Sequence, residues 1–84
     1  MIEEEFTVND ELGLHIRPVS RLISVTSKYK SDIKIIKGNQ IADAKSVLEV
    51  LALVITCGDK IKVIVDGEDE KEAMVDIKEF FKSI

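Results

Sequence analysis

The stretch Ile33-Lys34-Ile35-Ile36-Lys37-Gly38-Asn39-Gln40-Ile41-Ala42-Asp43 decides the fold class of this chain. Two short runs containing isoleucine flank a Gly-Asn pair, and both residues of that pair tolerate the positive φ angles of a tight turn. The stretch therefore predicts a β-hairpin with strands over 33–37 and 40–43. Because a hairpin joins antiparallel strands, we expect an antiparallel sheet.

Further strands and helices are predicted on both sides of the hairpin. Apolar residues recur with a period of two, imperfectly over 2–8 and clearly over 61–65, which predicts two more strands. Helical spacing predicts a first helix over 16–29. A second, short helix begins at the capping-box sequence Ser46-Val47-Leu48-Glu49, and a third begins after Asp69 and runs to the C-terminus.

These elements predict one α+β domain over residues 1–84, in the order βαββαβα. Short, half-polar strands fit an open-faced β-sandwich: a four-stranded antiparallel sheet that three helices cover on one face, with the other face in solvent. The 84 residues, 45% of them hydrophobic, supply one core and leave no segment that reads as a linker.

Composition excludes several classes of function. Sixteen acidic against twelve basic residues give a net charge of −4, which argues against binding to nucleic acid. One histidine and one cysteine cannot form a zinc site, so we expect no metal and no cofactor. The acidic N-terminus is unlike a secretory signal, and the longest apolar run, 50–55, is too short for membrane insertion.

The single cysteine, Cys57, allows no intramolecular disulfide and indicates a reducing, cytoplasmic setting. It lies between a predicted helix and a predicted strand. An exposed thiol there would be reactive, whereas the more ordinary interpretation is a small, buried filler.

The segment Gly13-Leu14-His15-Ile16-Arg17-Pro18 places the only histidine just ahead of the first helix. A helix N-terminus favours an anion, because its first N–H groups lack partners and its dipole end is positive. An imidazole at that position can attack phosphorus, and the guanidinium of Arg17 can pair with two phosphate oxygens. Pro18 suits the first turn. The ordinary alternative is a capping or solvent-facing histidine.

Together with Ala44-Lys45-Ser46-Val47, Gly58-Asp59 and Asp66-Gly67-Glu68-Asp69-Glu70, this segment resembles the HPr family, the histidine phosphocarriers of the bacterial phosphoenolpyruvate-dependent sugar phosphotransferase system. The resemblance spans essentially the whole chain. It implies that His15 accepts a phosphoryl group on Nδ1 from phosphorylated enzyme I and passes it to sugar-specific A components. Arg17 would steady the group, with the backbone N–H groups of Ile16 and Arg17 as further donors. Such a carrier is not a self-contained enzyme.

The resemblance also implies a regulatory role for Ser46, as the serine that an ATP-dependent HPr kinase/phosphorylase modifies. A transcriptional regulator would then be a further partner. As a helix N-cap, however, Ser46 is accounted for without any modification, because its hydroxyl oxygen can accept from the N–H of Glu49.

Some residues depart from the family pattern. Ile16 stands where alanine or threonine is common, and Glu49 stands where glycine or lysine is familiar. These departures favour an alternative function, a regulatory protein-binding module with little or no transfer through His15. A small-molecule-binding module is a third interpretation, suggested only by size and element order. We expect a monomer whose Leu48 and Leu51 contribute to partner docking.

Overall fold

The computed structural model describes residues 1–84 and has the predicted element order. The strands and helices are β1 (Ile2–Thr7), α1 (Ile16–Thr26), β2 (Asp32–Lys37), β3 (Gln40–Asp43), α2 (Val47–Ala52), β4 (Lys60–Asp66) and α3 (Glu70–Lys82). No helix combines the length and the apolar character that crossing a membrane requires.

The four strands form one antiparallel sheet in the order β1-β4-β2-β3. The central strand β4 pairs with both β1 and β2, and the hairpin closes with Lys37 opposite Gln40. Within the turn only Gly38 has a positive φ, 60°, as a type II′ turn requires at its first central position. The predicted hairpin and sheet are confirmed.

Alternation along the strands separates a core face from a solvent face. Ile33, Ile35 and Val63 are buried beneath the helices, whereas on the opposite face the side chain of Ile41 is 65% exposed. The helices contribute their apolar sides to the same core, and Phe81 of α3 stacks on a strand residue, Phe6. The open-faced β-sandwich is therefore confirmed.

Helix α1 ends at Thr26, three residues before the predicted end. Thr26 is fully buried, and its hydroxyl donates to the carbonyl of Ala44 at 2.9 Å, a contact with another part of the chain. Beyond it, the N–H groups of Lys28 and Tyr29 donate to carbonyls three residues earlier, those of Val25 and Thr26, in place of the four-residue spacing of an α-helix. Tyr29 packs against the core although it lies beyond the helix. An apolar ring at this position continues the helical spacing in the sequence, which explains why the predicted helix is longer than the observed one.

Asp69 precedes α3 as predicted, but its carboxylate does not cap that helix. It accepts instead from the N–H of Lys30 at 2.8 Å, the N–H of Ser31 at 2.9 Å and the hydroxyl of Ser31. The bond from the Ser31 hydroxyl, followed by that from the Lys30 amide, lowers the pKa of Asp69. The carboxylate thus fastens the α1–β2 loop to the start of α3, which ends at Lys82 instead of reaching the C-terminus.

Helix α2 begins with half of the predicted capping box. The hydroxyl of Ser46 accepts from the N–H of Glu49 at 3.3 Å, which confirms the N-cap. The reciprocal bond is absent, because the Glu49 carboxylate accepts from the N–H of Asp43 at 2.9 Å. Glu49 therefore holds the end of β3 against the helix that follows it.

Beyond α2, Val54 has a φ of 52° and is the only residue other than glycine with a positive φ. A β-branched side chain is strained in this left-handed region. The ammonium of Lys37 donates to the carbonyl of Val54 at 2.6 Å and lies 3.0 Å from a carboxylate oxygen of Asp59. These contacts hold the strained backbone in place, while the Val54 side chain is 66% exposed.

Replacing the strained valine should stabilise the fold. In Val54→Gly we expect the free energy of unfolding to rise by about 1 kcal/mol, because glycine enters the left-handed region without steric cost and little buried contact is lost. Val75, an exposed valine inside α3, is the matched control. Val75→Gly should destabilise by about 0.5 kcal/mol, since glycine is less favourable than valine within a helix. Urea unfolding measures both, and a loss of stability in both variants would contradict strain at Val54.

Candidate functional site

The β1–α1 loop, residues 8–15, is bonded to the α2–β4 loop, residues 53–59. The Val8 N–H donates to the Asp59 carbonyl at 3.0 Å, and the Gly58 N–H donates to the Val8 carbonyl at 2.7 Å. Further along, the Leu14 N–H donates to the Ile55 carbonyl at 3.0 Å. These bonds extend the strand pairing past the end of β1, which comes at Thr7, one residue before the predicted end.

Gly13 makes the closest approach between these two loops. A Cβ at this position would lie 2.2 Å from the Ile55 carbonyl oxygen, and the φ of Gly13 is 69°. Both facts require glycine. The next residue, Leu14, is buried in the core, so the chain enters α1 along one fixed path.

His15 is the N-cap residue of α1, with an extended backbone and no hydrogen bond from its side chain to the helix. The alternative in which the His15 side chain caps the helix is therefore wrong. The imidazole is 34% exposed, so it is accessible from solvent while one side rests on the protein. The α1 hydrogen bonds begin with the Val19 N–H, which donates to the His15 carbonyl at 3.0 Å.

The first turn of α1 leaves two N–H groups without a protein acceptor, those of Ile16 and Arg17. Pro18 has no N–H, so it adds no third unpaired donor. Two unpaired amides at the positive end of a helix, next to the imidazole, can bind an anion. The Arg17 side chain is exposed and forms no ion pair or hydrogen bond within the protein. Its guanidinium is thus available to the same anion.

Asp10 lies near Nε2 of the imidazole, a proximity that the sequence did not predict. Its Oδ1 atom is 3.9 Å from Nε2 of His15 and also accepts from the Leu12 N–H at 2.9 Å. The two residues are five apart in an irregular loop, where no periodicity relates their side chains. The turn-forming residues Asn9, Asp10 and Gly13 indicate a bend, but they do not predict which side chains meet across it.

Ser46 and the two leucines predicted to dock partners lie along α2. Leu48 is 79% exposed, whereas Leu51 is half-buried and packs against the core. Ser46 precedes the six-residue helix α2, and Ile55 lies in the α2–β4 loop that follows it. The helix is about 9 Å long, so Ser46 is separated by that length from the loop that bonds to Leu14. No hydrogen bond or ion pair joins Ser46 to His15.

Cys57 is exposed at the surface of the α2–β4 loop, so the interpretation as a buried filler is wrong. Its Sγ atom lies 3.9 Å from the Asn9 carbonyl oxygen. No group of three or more side chains from histidine, cysteine, aspartate and glutamate is arranged to hold a metal ion.

Comparison with known proteins gives one consistent result. A family model described as "PTS HPr component phosphorylation site" matches residues 2–83. Phosphocarrier protein HPr of Xylella fastidiosa is 37% identical over 83 residues, which cover 99% of this chain and 93% of that protein. The structure of HPr-C-His from Thermoanaerobacter tengcongensis has a TM-score of 0.95 at 30% identity and covers 99% of this chain and 93% of its own. The histidine-containing phosphocarrier protein of Mycoplasma has a TM-score of 0.91 at 34% identity, with coverage of 94% and 90%.

Proposed function

The chain belongs to the HPr family of phosphocarrier proteins of the phosphotransferase system, and on that basis we propose that it carries a phosphoryl group on His15. Phosphorylated enzyme I is the donor, and sugar-specific A components are the acceptors. The single observation that carries the proposal is the accessible imidazole at the start of α1, beside two unpaired amides and an unpaired guanidinium.

The transfer step takes place between two imidazoles, that of the donor phosphohistidine and that of His15. The lone pair on Nδ1 of His15 attacks phosphorus, and the N–P bond of the donor phosphohistidine breaks, so that its electron pair returns to the donor ring. The N–H groups of Ile16 and Arg17 and the Arg17 guanidinium bind the phosphoryl oxygens. In the second half-reaction His15 is the leaving group and regains its lone pair.

The carrier must dock to two kinds of protein in turn, so its site must stay exposed and its complexes must exchange quickly. A monomer in the cytoplasm, where the donor and the acceptors meet, suits this role. Leu48, which is 79% exposed at the start of α2, is available to supply apolar contact with a partner. The half-buried Leu51 contributes only its exposed edge.

His15→Ala should abolish phosphoryl acceptance without unfolding the protein, because the imidazole makes no hydrogen bond that the fold needs. The purified chain is incubated with phosphoenolpyruvate and active enzyme I. Mass spectrometry should find an acid-labile, base-stable adduct on the native chain and none on the variant.

The control for this experiment is the thermal unfolding of both proteins, which should be nearly equal. An adduct on His15→Ala would overturn the assignment of the acceptor. No adduct on the native chain, with an enzyme I that phosphorylates another HPr, would favour the alternative of a regulatory binding module.

Leu48→Ala should weaken binding to enzyme I about fivefold, since burying part of a leucine side chain at an interface contributes about 1 kcal/mol. Ile41→Ala is the matched control, because Ile41 is similarly exposed but lies on the open face of the sheet. Titration calorimetry measures both affinities. Equal affinities of the two variants would exclude Leu48 from the docking surface.

Ser46 is proposed as a site of regulatory phosphorylation. A phosphate on its oxygen could keep the bond from the Glu49 N–H, and the Glu49 carboxylate is already engaged by the Asp43 N–H. An HPr kinase/phosphorylase with ATP should therefore add one phosphate to the native chain and none to Ser46→Ala. A transcriptional regulator that binds only the modified protein would be the corresponding partner. An unmodified native chain would remove this role.

The alternative function, a regulatory module without transfer, is favoured by one observation. The side chain of Ile16, the residue that follows His15, is 56% exposed, and its bulk would hinder the approach of a second imidazole. The adduct experiment on the native chain separates the two functions.

A further inference from the structure

We infer that Asp10 is a positioning residue for His15, an inference that rests on the proposed function. Its carboxylate faces Nε2, so the ring presents Nδ1 to the incoming phosphoryl group and keeps its proton on Nε2. The Oδ1–Nε2 distance is 3.9 Å, and the side chains of Asp10 and His15 are both only partly exposed.

The Asp10 carboxylate is held by the backbone around it. The oxygen that faces the imidazole is the one that accepts from the Leu12 N–H at 2.9 Å, and the Asp10 carbonyl accepts from the Gly13 N–H at 2.9 Å. Gly13 is itself packed against Ile55 without room for a side chain. Asp10 therefore begins a hydrogen-bonded turn that ends at Gly13, two residues before His15, so bringing the carboxylate near the imidazole costs little conformational entropy.

A carboxylate beside Nε2 favours the tautomer with hydrogen on that nitrogen, since the N–H dipole then points at the negative charge. Nδ1 consequently holds the lone pair. When Nδ1 bonds to phosphorus and the donor N–P bond breaks, the Nε2 proton stays and the ring becomes an imidazolium. Asp10 offsets that positive charge. It thereby keeps the ring in the protonated form, which is the better leaving group for transfer to an acceptor.

Other charged groups near this site do not supply the same interaction. Asp10 is the only acidic side chain within 4 Å of the imidazole. Arg17 on α1 is cationic, so its charge disfavours the positively charged form of the His15 imidazole. On the α2–β4 loop, Asp59 is engaged by Lys37 and Thr56, and the remaining ionisable group is the thiol of Cys57.

Asp10→Asn tests this inference, because the amide oxygen of asparagine can still accept from the Leu12 N–H while the charge is removed. Glu11→Gln is the matched control. It removes the same charge one residue away, from an exposed side chain that contacts no partner. The ratio of His15 tautomers is measured by ¹⁵N NMR of the unphosphorylated protein at pH 8. The rate of transfer from the phosphorylated protein to an A component is measured in the same variants.

In Asp10→Asn the ratio of the Nε2–H to the Nδ1–H tautomer should fall about twofold to threefold relative to Glu11→Gln. The rate of transfer from the phosphorylated protein to an A component should also fall about twofold relative to Glu11→Gln, because the charge that offsets the imidazolium is lost. Asp10→Glu, which keeps the charge, should restore part of both effects.

Equal tautomer ratios in Asp10→Asn and Glu11→Gln would overturn the role of Asp10, even if the native chain transfers phosphoryl groups normally. A changed ratio in a native-like protein that accepts no phosphoryl group would support the Asp10 contact and overturn the proposed function instead. The NMR measurement needs no enzyme I, so the two failures are distinguishable.

Discussion

The close contact between Gly13 and the Ile55 carbonyl is the constraint on which the rest of the site depends. It brings the loop before α1 against the loop before β4, at a separation that no side chain would permit. Leu14 can then enter the core, and His15 is left at the helix N-terminus with an extended backbone. The His15 side chain is thus positioned by backbone packing, and it needs no hydrogen bond of its own to hold the fold.

The residue at the N-cap position has a different role in each of the three helices. The residue before α2, Ser46, caps its helix with its own side chain, whereas the residue before α3, Asp69, binds a distant loop. His15 does neither, and it leaves the first amides of α1 unpaired. Unpaired amides are a cost to the isolated helix, but they are the donors that an anion needs. The other two helices also have unpaired first amides, but acidic side chains lie in their first turns, whereas the first turn of α1 has none and follows an imidazole. Helix α1 is therefore the one whose amides suit a phosphate.

The surface beyond α2 combines strain with exposed apolar area. Val54 is held in the left-handed region by Lys37, which also joins Asp59, so that one ammonium group fastens a helix end to the following loop. Strained residues persist only where neighbouring contacts fix them, and they are frequent at functional sites. The same loop supplies the Ile55 carbonyl that packs on Gly13 and accepts from the Leu14 N–H, so the loop also fixes the path of the chain into α1.

Sequence alone determined the antiparallel sheet, the order of the elements and the place of His15 at a helix start. These features follow from local periods of two and 3.6 residues, a Gly-Asn turn and a proline in the first turn of α1, and such signals act over a few neighbouring residues. The resemblance to the HPr family rested on equally local motifs. It indicated the histidine and the arginine as candidate site residues without any knowledge of their surroundings.

Only the tertiary structure decided where α1 ends, what Asp69 binds, how Val54 is strained and which carboxylate faces His15. In each case a backbone or side-chain group chooses among several possible partners. That choice depends on which distant segment the fold brings within about 3 Å, the range of a hydrogen bond. The carboxyl group of Asp69 could cap α3, but the loop at Ser31 offers it more donors. Periodicity contains no information about that competition, because its outcome depends on contacts between residues far apart in the chain.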